Sequence, residues 1–372
     1  MAAKPILRVG LIGSGFMGMA HCFGYATAAK VFDLPFSIHL HTLADITEEM
    51  AEKAAGAFGF DTFTADWRAM VTDPEIDVVN ITAPNALHKD MALAAIAAGK
   101  HVHCEKPLAP TVDDARVMRR AAAEAGVKTQ VGFNYLCNPM LILARDMIAA
   151  GELGDIRGYR GIHCEDYMID ASSPFTFRHD PAGGGALADI GSHALATAEF
   201  LIGPITEVMG DCVTMISKRP DQTGAFRDVL VDDVGRAFLR FQSGASGSIE
   251  GNWIATGRKM QHDFEVYGSK GALCFSQERF NELHYYSTDD PIGRQGFRRI
   301  EASPNHPPYG AFCVAPGHQI GFNDLKAIEV AGFLDAIAGR RTEPFPFSKG
   351  ERIQHLVETI QRSSREQTWQ SV

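Results

Sequence analysis

The sequence has no run of basic residues, no C-x-x-C pair, and no uninterrupted apolar stretch near the roughly 20 residues that a membrane span requires. It also has no internal repeat and no low-complexity tract. Without clustered Lys and Arg, and with a formal net charge of −10, the chain is poorly suited to neutralising a phosphate backbone, so nucleic acid is not an expected partner. The seven cysteines (Cys22, Cys104, Cys137, Cys164, Cys212, Cys274 and Cys313) are scattered singly and odd in number. That pattern fits reduced thiols in a cytosol better than a disulfide framework or a zinc site, and no metal site is expected. The opening residues, MAAKPILRVGLIGSGFMGMA, lack an apolar segment followed by a small-residue cleavage site and run directly into strand-like sequence. A cytoplasmic chain with no membrane partner is the expectation.

What is present is ordinary for a globular protein. Apolar residues make up 45% of the chain and charged residues 22%. At 372 residues it is longer than one hydrophobic core usually serves, so two domains are expected. From residue 6 to about 135, β-branched apolar runs alternate with Ala-rich helical stretches, which is the sequence form of repeated βαβ units and a parallel sheet. The predicted elements are strands at 6–12, 37–44, 77–82, 101–104 and 128–133, with helices at 16–29, 48–58, 86–98 and 112–125. Gly99 closes the third helix and Thr111 caps the fourth. After residue 135 the character changes. A helix at 139–150 precedes strands at 155–163, 206–217, 233–241, 245–255, 262–267 and 272–275, interrupted by one helix near 185–201. Helices at 324–338 and 349–363 end the chain. The expectation is an α/β protein with a dinucleotide-binding domain at 1–135 and an α/β domain at 136–372 built on an open, mainly antiparallel sheet. The C-terminal helices are free to pack back on the first domain.

Gly13-Ser14-Gly15-Phe16-Met17-Gly18 follows the first strand and opens the first helix, the context in which G-x-G-x-x-G is informative. Gly13 permits the tight turn, Gly15 lets the backbone approach a pyrophosphate, and Gly18 lets helix and strand pack closely. The phosphates then sit at the helix N-terminus. Asp45 ends the second strand, somewhat farther past Gly18 than the usual ~20 residues. A carboxylate there accepts from ribose hydroxyls and repels a 2′-phosphate. No Lys or Arg follows it until Lys53, so NAD is favoured over NADP; the competing account is that Asp45 merely caps the next helix. Thr82, Pro84 and Asn85, after the third strand, line the same crevice. His88 either faces the nicotinamide or is a solvated surface histidine.

Glu105-Lys106-Pro107 follows the strand HVHC at another carboxyl end facing the crevice, which makes Glu105 and Lys106 cofactor-binding candidates as well. Lys106 there can donate to a substrate oxygen and stabilise developing alkoxide charge; read alone, a surface lysine paired with Glu105 is the better account. In the run GGGALADIGSH, Asp189 and His193 stand at i and i+4. On a helix they share a face, and an imidazole held by a carboxylate suits general-base work near neutral pH. An ordinary helix-face ion pair is the alternative.

GSGFMG, TAPN with His88, EKP, VGFNY and GGGALADIGSH, in that order and spacing, resemble the Gfo/Idh/MocA family of oxidoreductases along essentially the whole chain. The resemblance implies a Rossmann domain, NAD as cofactor, and a second domain whose sheet often serves oligomerisation, so that a homo-oligomer (dimer or tetramer) is expected. It assigns the catalytic set to Lys106, Asp189 and His193. His193 takes the hydroxyl proton, Asp189 orients the imidazole, and Lys106 steadies the oxygen. Many members carry an arginine after VGFN; Tyr135 stands there in this chain, so that arginine's contact does not transfer. The stretch from Glu165 to Arg178 looks like the branch acting on inositols and on pyranose sugars such as L-glucose or levoglucosan. Asn134, Tyr135, Tyr167, Arg178 and His179 are the substrate-pocket candidates, joined by His318 and Asn323 in the segment PGHQIGFNDLK, where a turn with an Asn cap is the competing account. The expected reaction is oxidation of a neutral polyol's secondary hydroxyl. A non-catalytic NAD-binding sugar sensor and a reductase running the other way stay open.

Overall fold

The computed structural model describes residues 4–372. The chain forms two compact units, Met1–Cys137 with Ile320–Arg352, and Asn138–Gln319 with Ile353–Val372. In the first unit the elements run β1 (Ile6–Ile12), α1 (Phe16–Val31), β2 (Ser37–Ala44), α2 (Glu48–Phe58), β3 (Thr62–Thr64), α3 (Trp67–Thr72), β4 (Val78–Ile81), α4 (His88–Ala97), β5 (His101–Cys104), α5 (Val112–Ala125) and β6 (Thr129–Val131). The six strands are all parallel, in the order β3-β2-β1-β4-β5-β6. This is the dinucleotide-binding order, with its switch point between β1 and β4.

Local sequence explains these elements. β4 is buried along its whole length, as a central parallel strand must be. Thr47 caps α2 by accepting from the Met50 N–H at 3.2 Å, and Gly59 ends it at φ 80°. Thr111 and Gly126 (φ 68°) do the same for α5. The predicted helix at 86–98 starts as a 3₁₀ turn, Asn85–Leu87, before α4. Leu11, Cys22, Leu43, Ala51, Ala55 and Phe60 form a core cluster between β1, β2 and their helices.

The second unit holds α6 (Pro139–Ala149), β7 (Ile156–Cys164), α7 (Ser192–Ile202), β8 (Ile205–Val213), β9 (Lys218–Pro220), β10 (Phe226–Asp228), β11 (Val234–Phe241), β12 (Ser246–Asn252), β13 (Gln261–Gly268), β14 (Gly271–Ser276), β15 (Glu282–Ser287), β16 (Arg298–Glu301) and α8 (Tyr309–Phe312). Then come α9 (Phe322–Ile337), in the first unit, α10 (Phe347–Glu366), which starts in the first unit and ends in the second, and β17 (Gln370–Ser371). The large sheet runs β16-β15-β14-β13-β7-β12-β11-β8-β17. Every pair is antiparallel except β12 with β7. Along β11 buried and exposed residues alternate, so one face packs inward while Arg236, Phe238 and Arg240 stand on the open face.

The single helix expected at 185–201 is corrected. Gly184 and Gly185 take left-handed φ values of 84° and 74°, Leu187–Gly191 is a π-helical turn, and the regular helix begins only at Ser192. The glycines supply the conformational freedom, and a Cβ on Gly185 would fall 2.6 Å from an Asp232 carboxylate oxygen. No helix among the described residues is long and apolar enough to cross a membrane.

Candidate functional site

In the first unit, the loop after β1 is shaped by its glycines. Gly13 has φ 96°, and a Cβ there would meet the Thr82 carbonyl at 3.1 Å. A Cβ on Gly18 would lie 2.2 Å from the Gly13 carbonyl oxygen, which is why helix and loop can touch. Gly15 caps α1 with no side-chain hydrogen bond, and no atom lies within 4 Å of where its Cβ would stand. The first-turn N–H groups carried by Phe16 and Met17 therefore open onto free space beside Gly15, as pyrophosphate binding at a helix N-terminus requires. Thr82 ties the neighbouring loop to this one, its hydroxyl donating to the Ile12 and Gly13 carbonyls at 3.0 and 2.7 Å. Pro84 is exposed and Asn85 buried behind it.

Asp45 reaches the same loop. Its Oδ2 accepts the Ser14 N–H at 2.9 Å and also the Ser14 hydroxyl, and its Oδ1 accepts the Ile46 N–H at 2.7 Å. Thr47, not Asp45, caps α2, so the capping account of Asp45 falls away. These residues fit NAD.

Two assignments at the cofactor end are corrected. His88 is fully buried, with Nδ1 3.0 Å from the Pro107 carbonyl oxygen and Nε2 2.8 Å from that of Ala83. Each ring nitrogen faces a main-chain carbonyl oxygen; burial lowers the pKa, and the neutral ring donates to one of the two. It faces neither nicotinamide nor solvent, and instead joins the 82–85 loop to the turn at Pro107. Glu105 is turned inward as well, 4% exposed. Its Oε1 lies 2.8 Å from His21 Nε2 and accepts from Lys326 Nζ at 3.0 Å, and its Oε2 accepts the Lys106 N–H at 3.2 Å. Lys106 itself is half-buried. Although burial opposes it, the adjacent ammonium and the bond to His21 hold the Glu105 carboxyl well below its usual range.

Around Glu105 lies a buried cluster that sequence reading missed. Lys326 donates to Glu329 at 2.5 Å, His103 Nε2 is 3.3 Å from the same carboxylate, and the His21 and His103 rings are 4.4 Å apart. His21, His103 and Glu329 offer ligand atoms within 4.8 Å of one another, but the Lys326 ammonium already supplies the cation there. The signal available was the pair of alternating histidines in the strand HVHC and a Lys-x-x-Glu pair inside the otherwise apolar stretch 325–334 of α9.

Beyond β6, Asn134 is buried and its side-chain nitrogen has no hydrogen-bond partner. Tyr135 packs at 6.1 Å from Phe322, which itself stacks on the exposed Phe16 at 5.6 Å. Asn323, in the first turn of α9, is exposed. The cap of that helix is made by Asp324, which accepts the Gly321 N–H at 2.6 Å, so an Asn323 cap is ruled out. In the second unit His318 is exposed.

The second unit brings together Tyr167, Arg178 and Asp189. The Tyr167 hydroxyl and Arg178 Nε each donate to Asp189 Oδ2 at 2.9 Å. Arg178 also lies over the Phe177 ring at 4.6 Å. Burial of the hydroxyl, reinforced by the Asp189 charge, raises the Tyr167 pKa well above its ordinary value, so it remains a donor. Asp189 sits in the π turn rather than in the α-helix that its spacing to His193 assumed. His193 is 5% exposed, and its ring lies 5.4 Å from His163 and 6.1 Å from His262. His163 stacks on His262 at 4.9 Å, its Nε2 is 2.9 Å from Glu165 Oε1, and His262 Nε2 is 3.1 Å from the Thr197 hydroxyl. Neither of these two histidines was expected from sequence.

His179 is corrected. It is fully buried, its Nδ1 accepts the Thr176 N–H at 2.9 Å, and it packs against Phe175 and Trp253. Burial lowers its pKa to about 4. It is a neutral strut of the loop that carries Tyr167 and Arg178, not a substrate contact.

Comparison with known proteins agrees with this geometry. Residues 7–133 match the oxidoreductase family with NAD-binding Rossmann fold, and residues 141–274 match the GFO/IDH/MocA C-terminal domain. A levoglucosan dehydrogenase of Pseudarthrobacter phenanthrenivorans is 36% identical over 98% of both chains. The solved structure of a levoglucosan dehydrogenase in complex with NADH and levoglucosan aligns at TM-score 0.95 and 37% identity, covering 99% of both chains. An NAD binding oxidoreductase from Klebsiella pneumoniae aligns at TM-score 0.93 and 41% identity, covering 98% of both. Similarity of this extent along both domains makes the chain a member of the GFO/IDH/MocA family of oxidoreductases, with that family's NAD-binding Rossmann fold.

Proposed function

We propose that the protein is an NAD-dependent dehydrogenase that oxidises a secondary hydroxyl of a neutral sugar or cyclitol, of the levoglucosan, L-glucose or inositol kind, to the ketone or lactone. The observation that carries the neutral-substrate reading is the Asp189 carboxylate, bonded at 2.9 Å to both Tyr167 and Arg178. Arg178 is the only arginine between Tyr167 and His193, and its charge is spent on a protein carboxylate. Recognition of a phosphate or carboxylate normally recruits bidentate arginine, whereas the Tyr167 hydroxyl and the unpaired Asn134 amide suit hydroxyl groups.

In this reading, residues 13–18 seat the pyrophosphate and Asp45 exchanges its Ser14 bonds for ribose hydroxyls. The nicotinamide held there would supply the hydride acceptor for the carbinol carbon. His193 takes the hydroxyl proton, with Asp189 held in place by Tyr167 and Arg178 to support it, and Lys106 donates to the oxygen as its charge develops. Tyr135, His318 and Asn323 remain candidates for sugar contacts.

A homo-oligomer, dimer or tetramer, formed through the open face of the large sheet belongs to the same reading. Phe238, Tyr267 and Trp369 are 64%, 44% and 40% exposed around one shallow groove there, and such a patch is unusual on a monomer. Cytoplasmic residence is supported by seven unpaired cysteines. The test mixes purified protein and NAD with levoglucosan, free pyranoses and inositols and follows NADH absorbance. Reduction of NAD by at least one of them is expected. Tight NADH binding with no reduction by any would favour a sensor instead.

A further inference from the structure

Lys106 is the residue assigned to the reacting oxygen, and its main-chain N–H is held by the carboxylate of the residue before it, Glu105. That carboxylate is in turn fixed from below. Lys326 on α9 donates to Glu105 at 3.0 Å and to Glu329 at 2.5 Å while fully buried. The slot is closely built. A Cβ on Gly132 would fall 2.4 Å from Glu105 Oε1, and a Cβ on Gly24 of α1 would fall 2.9 Å from Lys326 Cγ. His21, on α1, bonds the same Glu105 oxygen at 2.8 Å, its second ring nitrogen facing Asn80 at 3.4 Å.

Stability alone is a weak explanation for this arrangement. Each buried ion loses several kcal/mol of hydration, and apolar replacements of buried ion pairs are often neutral or stabilising. What the ions provide and apolar residues cannot is a fixed direction: two carboxylate oxygens, one tied to α9 and α1 and the other to the backbone of Lys106. We propose that Lys326 is a positioning residue for the reaction, anchoring Glu105 so that the Lys106 main chain, and with it the Lys106 ammonium, starts from a fixed point under the reacting oxygen. This rests on the reading of Lys106 given under the proposed function.

The test is a double-mutant cycle. Lys326→Met combined with Glu329→Gln removes one charge of each sign and so keeps the cluster's formal charge, and it is made in both the wild-type and the Lys106→Met backgrounds. kcat and KM are measured with the sugar that best reduces NAD, alongside NADH affinity and the thermal midpoint. With Lys106 present, kcat should fall roughly 10- to 100-fold, the scale of a misplacement near 1 Å, with NADH affinity and KM within about twofold. In the Lys106→Met background the same change should cost nothing further. An equal loss in both backgrounds, or no loss with Lys106 present, overturns the proposal. Normal turnover of Lys106→Met itself would instead overturn the reading of Lys106, a distinct result. If the double change does not fold, Lys326→Arg, which keeps the charge and moves it, is put through the same cycle.

Discussion

Gly15 caps α1 and Gly18 lies in its first turn, three residues on, and the structure assigns alanine opposite consequences at each. At Gly18 the new methyl would stand 2.2 Å from the Gly13 carbonyl oxygen, 3.1 Å from the Gly13 carbonyl carbon and 3.2 Å from the Thr82 hydroxyl. A carbon needs about 3.3 Å from a carbonyl oxygen, so α1 must retreat from the loop by roughly 1 Å. Overpacking of that kind costs about 1–3 kcal/mol, and Gly18→Ala should lower the thermal midpoint of the cofactor-free protein by several degrees. At Gly15 no atom lies within 4 Å of the Cβ position and φ is −65°, a conformation alanine adopts freely. Gly15→Ala should therefore change stability by no more than about 0.5 kcal/mol. Its methyl does occupy the space through which a pyrophosphate approaches the α1 amides. Losing one or two charge-assisted hydrogen bonds, about 1.5–3 kcal/mol each, should weaken NADH binding at least ~10-fold. Calorimetry without cofactor and fluorescence titration with NADH separate the two effects. A Gly15→Ala protein that binds NADH normally would refute the placement of the pyrophosphate, and an unchanged midpoint for Gly18→Ala would refute the close contact.

Asp45→Ala should relax discrimination against NADP, since repulsion of the 2′-phosphate is removed; kcat/KM for both cofactors reports it, and a wild type already preferring NADP sinks the assignment. His193→Ala should lower kcat about 10²- to 10⁴-fold with little change in NADH affinity, and near-normal turnover would move the proton transfer elsewhere. Burial, with Lys326 and His103 adding, lowers the pKa of His21 from 6.5 to about 4. Between those values the unfolded chain takes up a proton that the fold refuses, so stability is whole above 6.5 and falls as the pH drops, by on the order of 3 kcal/mol near pH 4. His21→Gln should flatten that decline in thermal midpoint, and an unaltered slope would place the acid lability in other groups.

The first unit was largely legible from sequence because its strands are buried runs and its helices carry their own stop signals. β1, β2 and β5 were read to the residue, as was α5 between Thr111 and Gly126. β3, β9, β10, β15, β16, β17, α3 and α8 were missed, β15 although it spans six residues between β14 and β16. β3, β16 and β17 are strands of two to four residues at sheet edges, too short to show a period, and α3 spans six residues. The segment at 185–201 misled because its glycines and π turn break the 3.6-residue repeat that apolar spacing implied. At the site, motif residues were found where backbone geometry dictates residue type, as at Gly13 and Gly18. The inward turn of His88, Glu105 and His179 was invisible, because it depends on carbonyls and cations brought in by the fold. Lys326 lies more than two hundred residues from Glu105, and local sequence carries no record of that pairing.

The central claim is direct hydride transfer from a neutral sugar's carbinol carbon to NAD, and isotope transfer tests it most directly. The sugar or cyclitol that reduces NAD best is prepared with deuterium at its oxidisable carbinol carbons, turned over with the protein and NAD, and the nicotinamide recovered for mass spectrometry. One deuterium per turnover in the reduced nicotinamide is predicted, with the yield collapsing in His193→Ala. Oxidised sugar without deuterium in the nicotinamide, or turnover confined to phosphorylated or carboxylated sugars, would contradict the account.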